Sequence, residues 1–460
     1  MKTTGKAQLL RSTLLAALAI VPGAVTGAYA QQAPGGPAAE EKGDVVVVTG
    51  SRIARQDYVA NSPIVTVGAE DLAATGVTTL DTLLNEMPQF VPAINQTSNN
   101  PSNGGQANIS LRGLGTNRTL ILMNGRRVVP SNNDGTVDVN LIPSQLVKSI
   151  EVVTGGASST YGSDAIAGVV NFILRDDFQG LEANLTYGIT EQDDGEQFSA
   201  SLATGGSFDE GKGHAMLMVS YNDRDPIYNG DRPFSKISGA SGTSPLGSTT
   251  FDSTNLPTLA AINTAMGSTG AAVTDQFGFN NNGTLFDYVG RRNFVSPGGI
   301  TYDGFAQPGA FFNPDFAFNT GALNLNVLPQ KRYNLFSAVD YDINEHANVY
   351  TNVLFTQYDS ASELAASPAA TSTGFRVPVS NPFIPASMRA VLASRANPLG
   401  SFLLNKRFTA LGARRSEELY DVYQITTGIK GETGLGDWTY DAYASYGRTD
   451  RTSIQTGNVS

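Results

Sequence analysis

The chain contains no cysteine and only two histidines, His214 and His346. That excludes disulfide staples and thiolate zinc sites and leaves little for imidazole catalysis. Neither histidine has a second histidine or a cysteine at the i, i+4 spacing of a helical metal site, so each reads as a solvated or strand side chain. Charge is scarce too, at 15% of residues, against roughly 25% in ordinary soluble domains. The 30 Lys and Arg, against 41 Asp and Glu, form no cluster, so the attraction that drives nucleic-acid binding is missing and no such partner is expected. No later apolar run reaches the ~18 residues of a transmembrane helix. Any membrane crossing must therefore be made by strands. Neither a Ser-His-Asp set nor a catalytic carboxylate pair can be defended from spacing, so the chain is not expected to be an enzyme, and no cofactor or metal is expected. Asp223-Arg224-Asp225 reads as solvated loop charge.

What is present begins with a basic segment (Lys2, Lys6, Arg11), an apolar stretch from Leu14 to Val25 and Ala28-Tyr29-Ala30, the pattern of a cleaved signal peptide over residues 1–30. Residues 31–43, rich in Pro, Gly, Ala and Gln, read as a flexible linker. Asp44, Val45, Val46, Val47, Val48 and Thr49 then form a β-branched run that makes sense if a partner's sheet edge takes it up.

Residues 54–177 read as one mixed α/β domain. A strand is expected from Ile64 to Val67. Leu80, Leu83, Leu84 and Met87 fall at i, i+3, i+4, i+7 and predict a helix, with Thr79 as its cap and Pro88 as its stop. Strands are expected at Ala107–Leu111, Thr119–Met123, Ile150–Val153 and Val169–Leu174. From residue 178 to 460 strict alternation takes over, giving about seven amphipathic strands of roughly ten residues: Leu181–Ile189, Phe198–Thr204, Ala215–Tyr221, Tyr333–Ile343, Ala347–Phe355, Tyr423–Ile429 and Trp438–Tyr446. Short turns on one side and long connections on the other, at about 225–330 and 359–416, match an outer-membrane barrel better than a soluble sandwich. Tyr187, Tyr341, Tyr358, Tyr420, Tyr446 and Trp438 stand near strand ends, where an aromatic girdle would sit.

Three blocks carry a resemblance. They are Ile109-Ser110-Leu111-Arg112-Gly113-Leu114-Gly115, the stretch Arg118 to Val128 containing Asn124-Gly125-Arg126-Arg127, and Ser149 to Ile173. The last holds Glu151, Gly155, Tyr161-Gly162-Ser163-Asp164-Ala165, Gly168 and Asn171. In order and separation they resemble the plug-domain motifs of TonB-dependent outer-membrane receptors, and residues 44–53 resemble the TonB box. Thr154-Gly155-Gly156-Ala157 departs from the family, where many members read Arg-Gly-Pro-Ala. Independently of the family, the glycines suit turns between short strands, and Gly113-Leu114-Gly115-Thr116-Asn117-Arg118 lacks the context of a dinucleotide loop. Arg112, Arg118, Arg126, Arg127 and Glu151 are expected to pair across a wet boundary between plug and barrel wall.

The resemblance implies a mixed α/β plug followed by an antiparallel transmembrane β-barrel of about 22 strands. It implies active uptake of a siderophore, cobalamin or oligosaccharide, driven by the inner-membrane proton gradient through TonB with ExbB-ExbD, and insertion into outer-membrane lipid by the barrel assembly machinery. A linker this short leaves no room for the signalling domain of some relatives. Seven strands cannot close a membrane barrel, whose bacterial single-chain examples have at least about eight, so a truncated chain is expected. Tyr288, Tyr302, Phe305 and Phe311, in the first long loop, would suit stacking on a small-molecule ligand, although a lid folded on itself fits them as well. Rival readings are a passive porin, an adhesin, or a secreted enzyme.

Overall fold

A computed structural model describes residues 64–68, 79–100, 104–155, 157–236, 240–241, 247–267, 276–279, 284–287, 294–295, 301–302, 318–369, 375–436 and 438–459. The expected signal peptide, linker and Asp44–Thr49 run lie outside these residues, as do Gly156, Tyr288, Phe305, Phe311 and the side chain of Tyr302.

The N-terminal domain is built from β1 (Ile64–Gly68), α1 (Leu80–Glu86), β2 (Phe90–Pro92), β3 (Ile109–Leu111), β4 (Thr119–Met123), β5 (Arg126–Arg127), β6 (Val147–Val153) and β7 (Gly168–Leu174). Its main sheet has the order β1-β6-β7-β4-β5. The β4–β7 pair is parallel and the others antiparallel. Both faces are covered, so its strands read as continuous apolar runs rather than alternating ones. One face packs Ile121, Ile150, Val152, Val170 and Phe172 against Leu83 and Leu84 of α1. The other packs Leu120, Leu122, Val153 and Val169 against Ala157 and Ala165. Full burial of such a side chain is worth ~1.5–3 kcal/mol. Thr79 takes the N-cap position of α1, but its hydroxyl meets that of Thr82 at 2.9 Å instead of a backbone N–H, contrary to the expected cap.

The remaining elements follow in chain order. After β8 (Gly180–Gly188), β9 (Gln197–Phe208) and β10 (Gly213–Arg224), the first long connection holds β11 (Ser248–Thr250), α2 (Leu259–Met266), β12 (Gln276–Phe279) and β13 (Leu285–Asp287). Next come β14 (Gln330–Asn344) and β15 (Ala347–Leu364), then β16 (Phe375–Val377), α3 (Ala386–Ala393) and β17 (Phe402–Arg407) within the second connection. The last strands are β18 (Arg414–Glu432) and β19 (Thr439–Thr456). Seven long strands form one antiparallel meander, β19-β18-β15-β14-β10-β9-β8, and among the described residues its two outer strands do not meet. β15 and β18 run further than the expected strands, so the second connection spans 365–413.

The two connections fold together. Strand order β13-β12-β11-β17 joins them, with β16 also on β17. Phe251, Ile262, Phe277, Met388, Leu392 and Phe402 supply a separate core. This core joins the first connection to the second among the described residues, outside which Tyr288, Phe305, Phe311 and the Tyr302 side chain lie.

Candidate functional site: the seam between the N-terminal domain and the wall

Period-2 alternation and register stack the inward side chains of the wall into rows. One row runs Ala203, Met218, Phe336, Leu354 and Gln424. The next carries Ser201, Ser220, Asn334, Thr356 and Val422, and a third Ser199, Asn222, Arg332, Tyr358, Tyr420 and Arg451. The fourth holds Gln197, Arg224, Gln330, Ser360, Glu418 and Ser453. The inner face thus passes from apolar to polar toward the long connections.

The N-terminal domain meets each zone in kind. Met216, Met218, Phe336 and Leu354 belong to the same apolar cluster as the domain's own Ile109, Leu111 and Phe172. The boundary therefore has a dry centre, which corrects the expectation of wet contacts alone. Above it, Asp138 is fully buried. Its Oδ1 accepts from the Ala107 and Asn140 amides at 3.0 and 2.9 Å, and its Oδ2 from the Tyr358 hydroxyl at 2.5 Å. Burial pushes the carboxyl up to about 6, against the opposing pull of these donors and of Arg332. Tyr358 stacks on Tyr420 with centroids 4.6 Å apart, and Gln106 donates to the Tyr420 hydroxyl at 3.0 Å. Arg332 donates to Asn140 Oδ1, and Gln330 to the Gly105 carbonyl. Glycine is required at 104 and 105, because a Cβ there would strike the Tyr420 hydroxyl and Ser360.

Two reciprocal amide pairs close the seam. Gln424 accepts from the Val129 amide at 2.8 Å and donates to the Arg127 carbonyl at 2.9 Å. Asn99 donates to the Glu363 carbonyl and accepts from its amide. Near the short turns, Arg126 pairs with Asp441, reaches the Tyr350 hydroxyl and lies 3.9 Å from the Tyr443 ring centroid.

The expected site residues divide. Of the predicted cross-boundary charges, Arg126 reaches the wall. Arg112 bonds the Ala167 carbonyl, Arg118 the Leu114 carbonyl, and Arg127 pairs with Asp164 and the Tyr161 carbonyl, all within the domain. Asn171 donates to Glu151 at 3.4 Å and accepts from the Gly125 amide at 2.9 Å. Asn124, with φ 50°, accepts from the Leu174 amide and donates to Asp176, so its side chain compensates a conformation usually left to glycine. Gly113, Gly115 and Gly162 have positive φ, as expected for turns, whereas Gly155 is not among the positive-φ residues. Ala165 is buried. Tyr302 pairs through its backbone with Phe294.

Two expectations fail outright. Tyr358 and Tyr420, read as girdle aromatics, are 1% and 0% exposed and face inward. Arg224, read as solvated, is 8% exposed and bonds the Leu328 carbonyl and Gln96 Oε1. The missed signal is phase. Tyr358 shares parity with Leu354 and Thr356, and Tyr420 with Val422 and Gln424, once the strands are extended. Outside, Leu181, Leu185, Leu202, Leu217, Val339 and Ile425 are exposed. Tyr187 and Tyr446 are exposed as well, and Tyr341 stacks on Phe208 with centroids 6.1 Å apart.

Residues 58–169 match the family model described as TonB-dependent Receptor Plug Domain. The chain is similar to the solved structure of the siderophore receptor PirA from Pseudomonas aeruginosa, at 13% identity and TM-score 0.37, covering 86% of this chain and 49% of that one. For the ferric citrate transporter FecA the values are 16%, 0.38, 86% and 48%. For a mutant of the ferric enterobactin receptor PfeA from Pseudomonas aeruginosa they are 14%, 0.36, 86% and 56%. The chain spans about half the length of these structures.

Proposed function

Because residues 58–169 match the plug domain of TonB-dependent receptors, we propose that this chain supplies the plug and the first wall strands of an outer-membrane receptor for energised ligand uptake. One observation carries the reading. The N-terminal domain is lodged on the inner face of a sheet, partly apolar and partly polar, whose opposite face is apolar between two aromatic levels, Tyr221 with Tyr333 and Phe208 with Tyr341. From Tyr333 to Tyr341 a strand runs about nine residues, the length a tilted strand needs to cross hydrocarbon. The seam combines reciprocal amide pairs and buried polar contacts with an apolar centre shared by domain and wall.

In this reading residues 1–30 direct export, and the barrel assembly machinery inserts the strands into outer-membrane lipid. A scarce extracellular ligand of siderophore, cobalamin or oligosaccharide class binds the long connections, Tyr288, Tyr302, Phe305 and Phe311 among them. Asp44–Thr49 is then taken up by TonB as an added strand, whose main-chain hydrogen bonds transmit a pull powered through ExbB-ExbD. Uptake by the full gene product in cells with and without TonB tests this. Val46→Pro, which removes a ladder donor, should abolish uptake while leaving surface binding of the same ligand intact. Uptake indifferent to both TonB and Val46→Pro would instead favour a passive pore.

A further inference from the structure

A cavity of about 20 Å³ lies in the seam beside α1, with Thr79, Ser199, Asn222, Asp223, Arg224 and Arg332 among its lining. The Asp223 Oδ2 accepts from the Tyr221 hydroxyl at 2.7 Å and pairs with Lys331 at 3.4 Å, while its Oδ1 is buried without a donor. Asn222 and Arg332 stand directly opposite each other on β10 and β14. The Arg332 side chain gives one terminal nitrogen to Asn140, while its buried Nε–H has no acceptor. Asn222 takes the Ser199 hydroxyl on its Oδ1 at 2.8 Å, and its buried Nδ2 has no acceptor either. Unpaired buried donors are costly, and natural proteins keep few of them without a reason. Here two from adjacent strands border one cavity. The Arg224 guanidinium, anchored on Leu328 and Gln96, borders it as well and is near enough to Arg332 for the two charges to repel, with Asp81 an acid acting on both.

We propose that this cavity is a binding site for one small monovalent anion, a halide or the head of a carboxylate, held by Arg332 Nε–H and Asn222 Nδ2–H with Arg224 supplying charge. Size limits the occupant: a cavity needs about 10–15 Å³ of this kind to hold one water-sized sphere, so 20 Å³ admits a single ion and excludes a folded cargo. A water would satisfy both donors but leave Arg224 and Arg332, in adjacent rows of neighbouring strands, less well compensated, since the Asp223 carboxylate that also lines the cavity is paired with Lys331. A negative ion satisfies the donors and offsets the repulsion, as charge-assisted bonds to guanidinium do elsewhere. The inference does not rest on the transport reading, since occupancy is a property of the resting protein whatever it carries.

Crystals of the full-length protein soaked in sodium bromide test it through anomalous scattering at the bromine edge. A peak within hydrogen-bond reach of Arg332 Nε and Asn222 Nδ2 is expected, lost in Asn222→Asp, which keeps the side-chain shape and the Ser199 bond but replaces the donor with a carboxylate. Arg332→Gln should lose it too, and formate added to the soak should displace bromide. No peak in the wild type, a peak undiminished in both variants, or bromide unmoved by formate would overturn the proposal.

Discussion

Replacing Tyr358 by Phe removes one hydroxyl from a buried carboxylate while leaving the ring stacked on Tyr420. Asp138 then keeps its two backbone donors but loses the third, on Oδ2. A hydrogen bond to a charged group contributes roughly 1.5–3 kcal/mol, equivalent to about a 10- to 150-fold change in an equilibrium. The Ala107 and Asn140 amides can exchange only when Asp138 Oδ1 lets go, so hydrogen exchange of peptides covering 104–111 and 137–141 in the full-length protein reads the effect directly. Exchange should accelerate by that factor. The pH dependence carries a sign. The Asp138 carboxyl at about 6 lies above its ordinary 3.8, so the folded state holds a proton that the unfolded state has released. Its stabilising contribution is fully present below 3.8 and is lost as pH rises through 6. The gap between those values corresponds to roughly 3 kcal/mol. Corrected for intrinsic rates, protection of these amides should fall between pH 4 and pH 7, and Asp138→Asn should flatten the profile. Protection within twofold of wild type in Tyr358→Phe, together with a flat wild-type profile, would refute the assignment of Asp138 and Tyr358 as a coupled pair.

Other expectations follow from the same seam. Arg126→Gln loses a partly exposed ion pair and a cation–π contact, together ~1–2 kcal/mol, so exchange over residues 126–130 should quicken several-fold while α1 is unchanged. Gly168 has φ 143°, and a Cβ there would collide with the Val153 carbonyl. Gly168→Ala should therefore destabilise the N-terminal domain by at least ~2 kcal/mol, seen as trypsin cleavage within 104–175 of the full-length protein where wild type resists. Thr249 and Leu404 pair directly across the two long connections, within disulfide reach for opposed antiparallel residues. In this cysteine-free chain, Thr249→Cys with Leu404→Cys should give one intramolecular crosslink under mild oxidant, detectable by non-reducing gel mobility. Its absence would mean that the connections do not share a sheet.

Local chemistry made several elements legible. The Leu80-Leu83-Leu84 spacing marks α1, the apolar runs from Thr119 to Met123 and Val169 to Leu174 mark β4 and β7, and alternation marks all seven wall strands. These signals are short-range: a helix or strand shows its buried face at a fixed period, whatever it packs against. What the tertiary structure decided is who meets whom. Asp138, Gln106 and Asn140 carry no sequence sign that they meet Tyr358, Tyr420 and Arg332, which lie some two hundred positions or more downstream. Strand extent was equally hidden, because the ends of β15 and β18 are polar inside and out and lose the alternation that reveals a half-buried strand. Without those ends Tyr358 and Tyr420 looked like membrane-interface aromatics. The register that places them in one row with Asn222 and Arg332 is set by hydrogen bonds between distant strands. That row exists only in the assembled sheet.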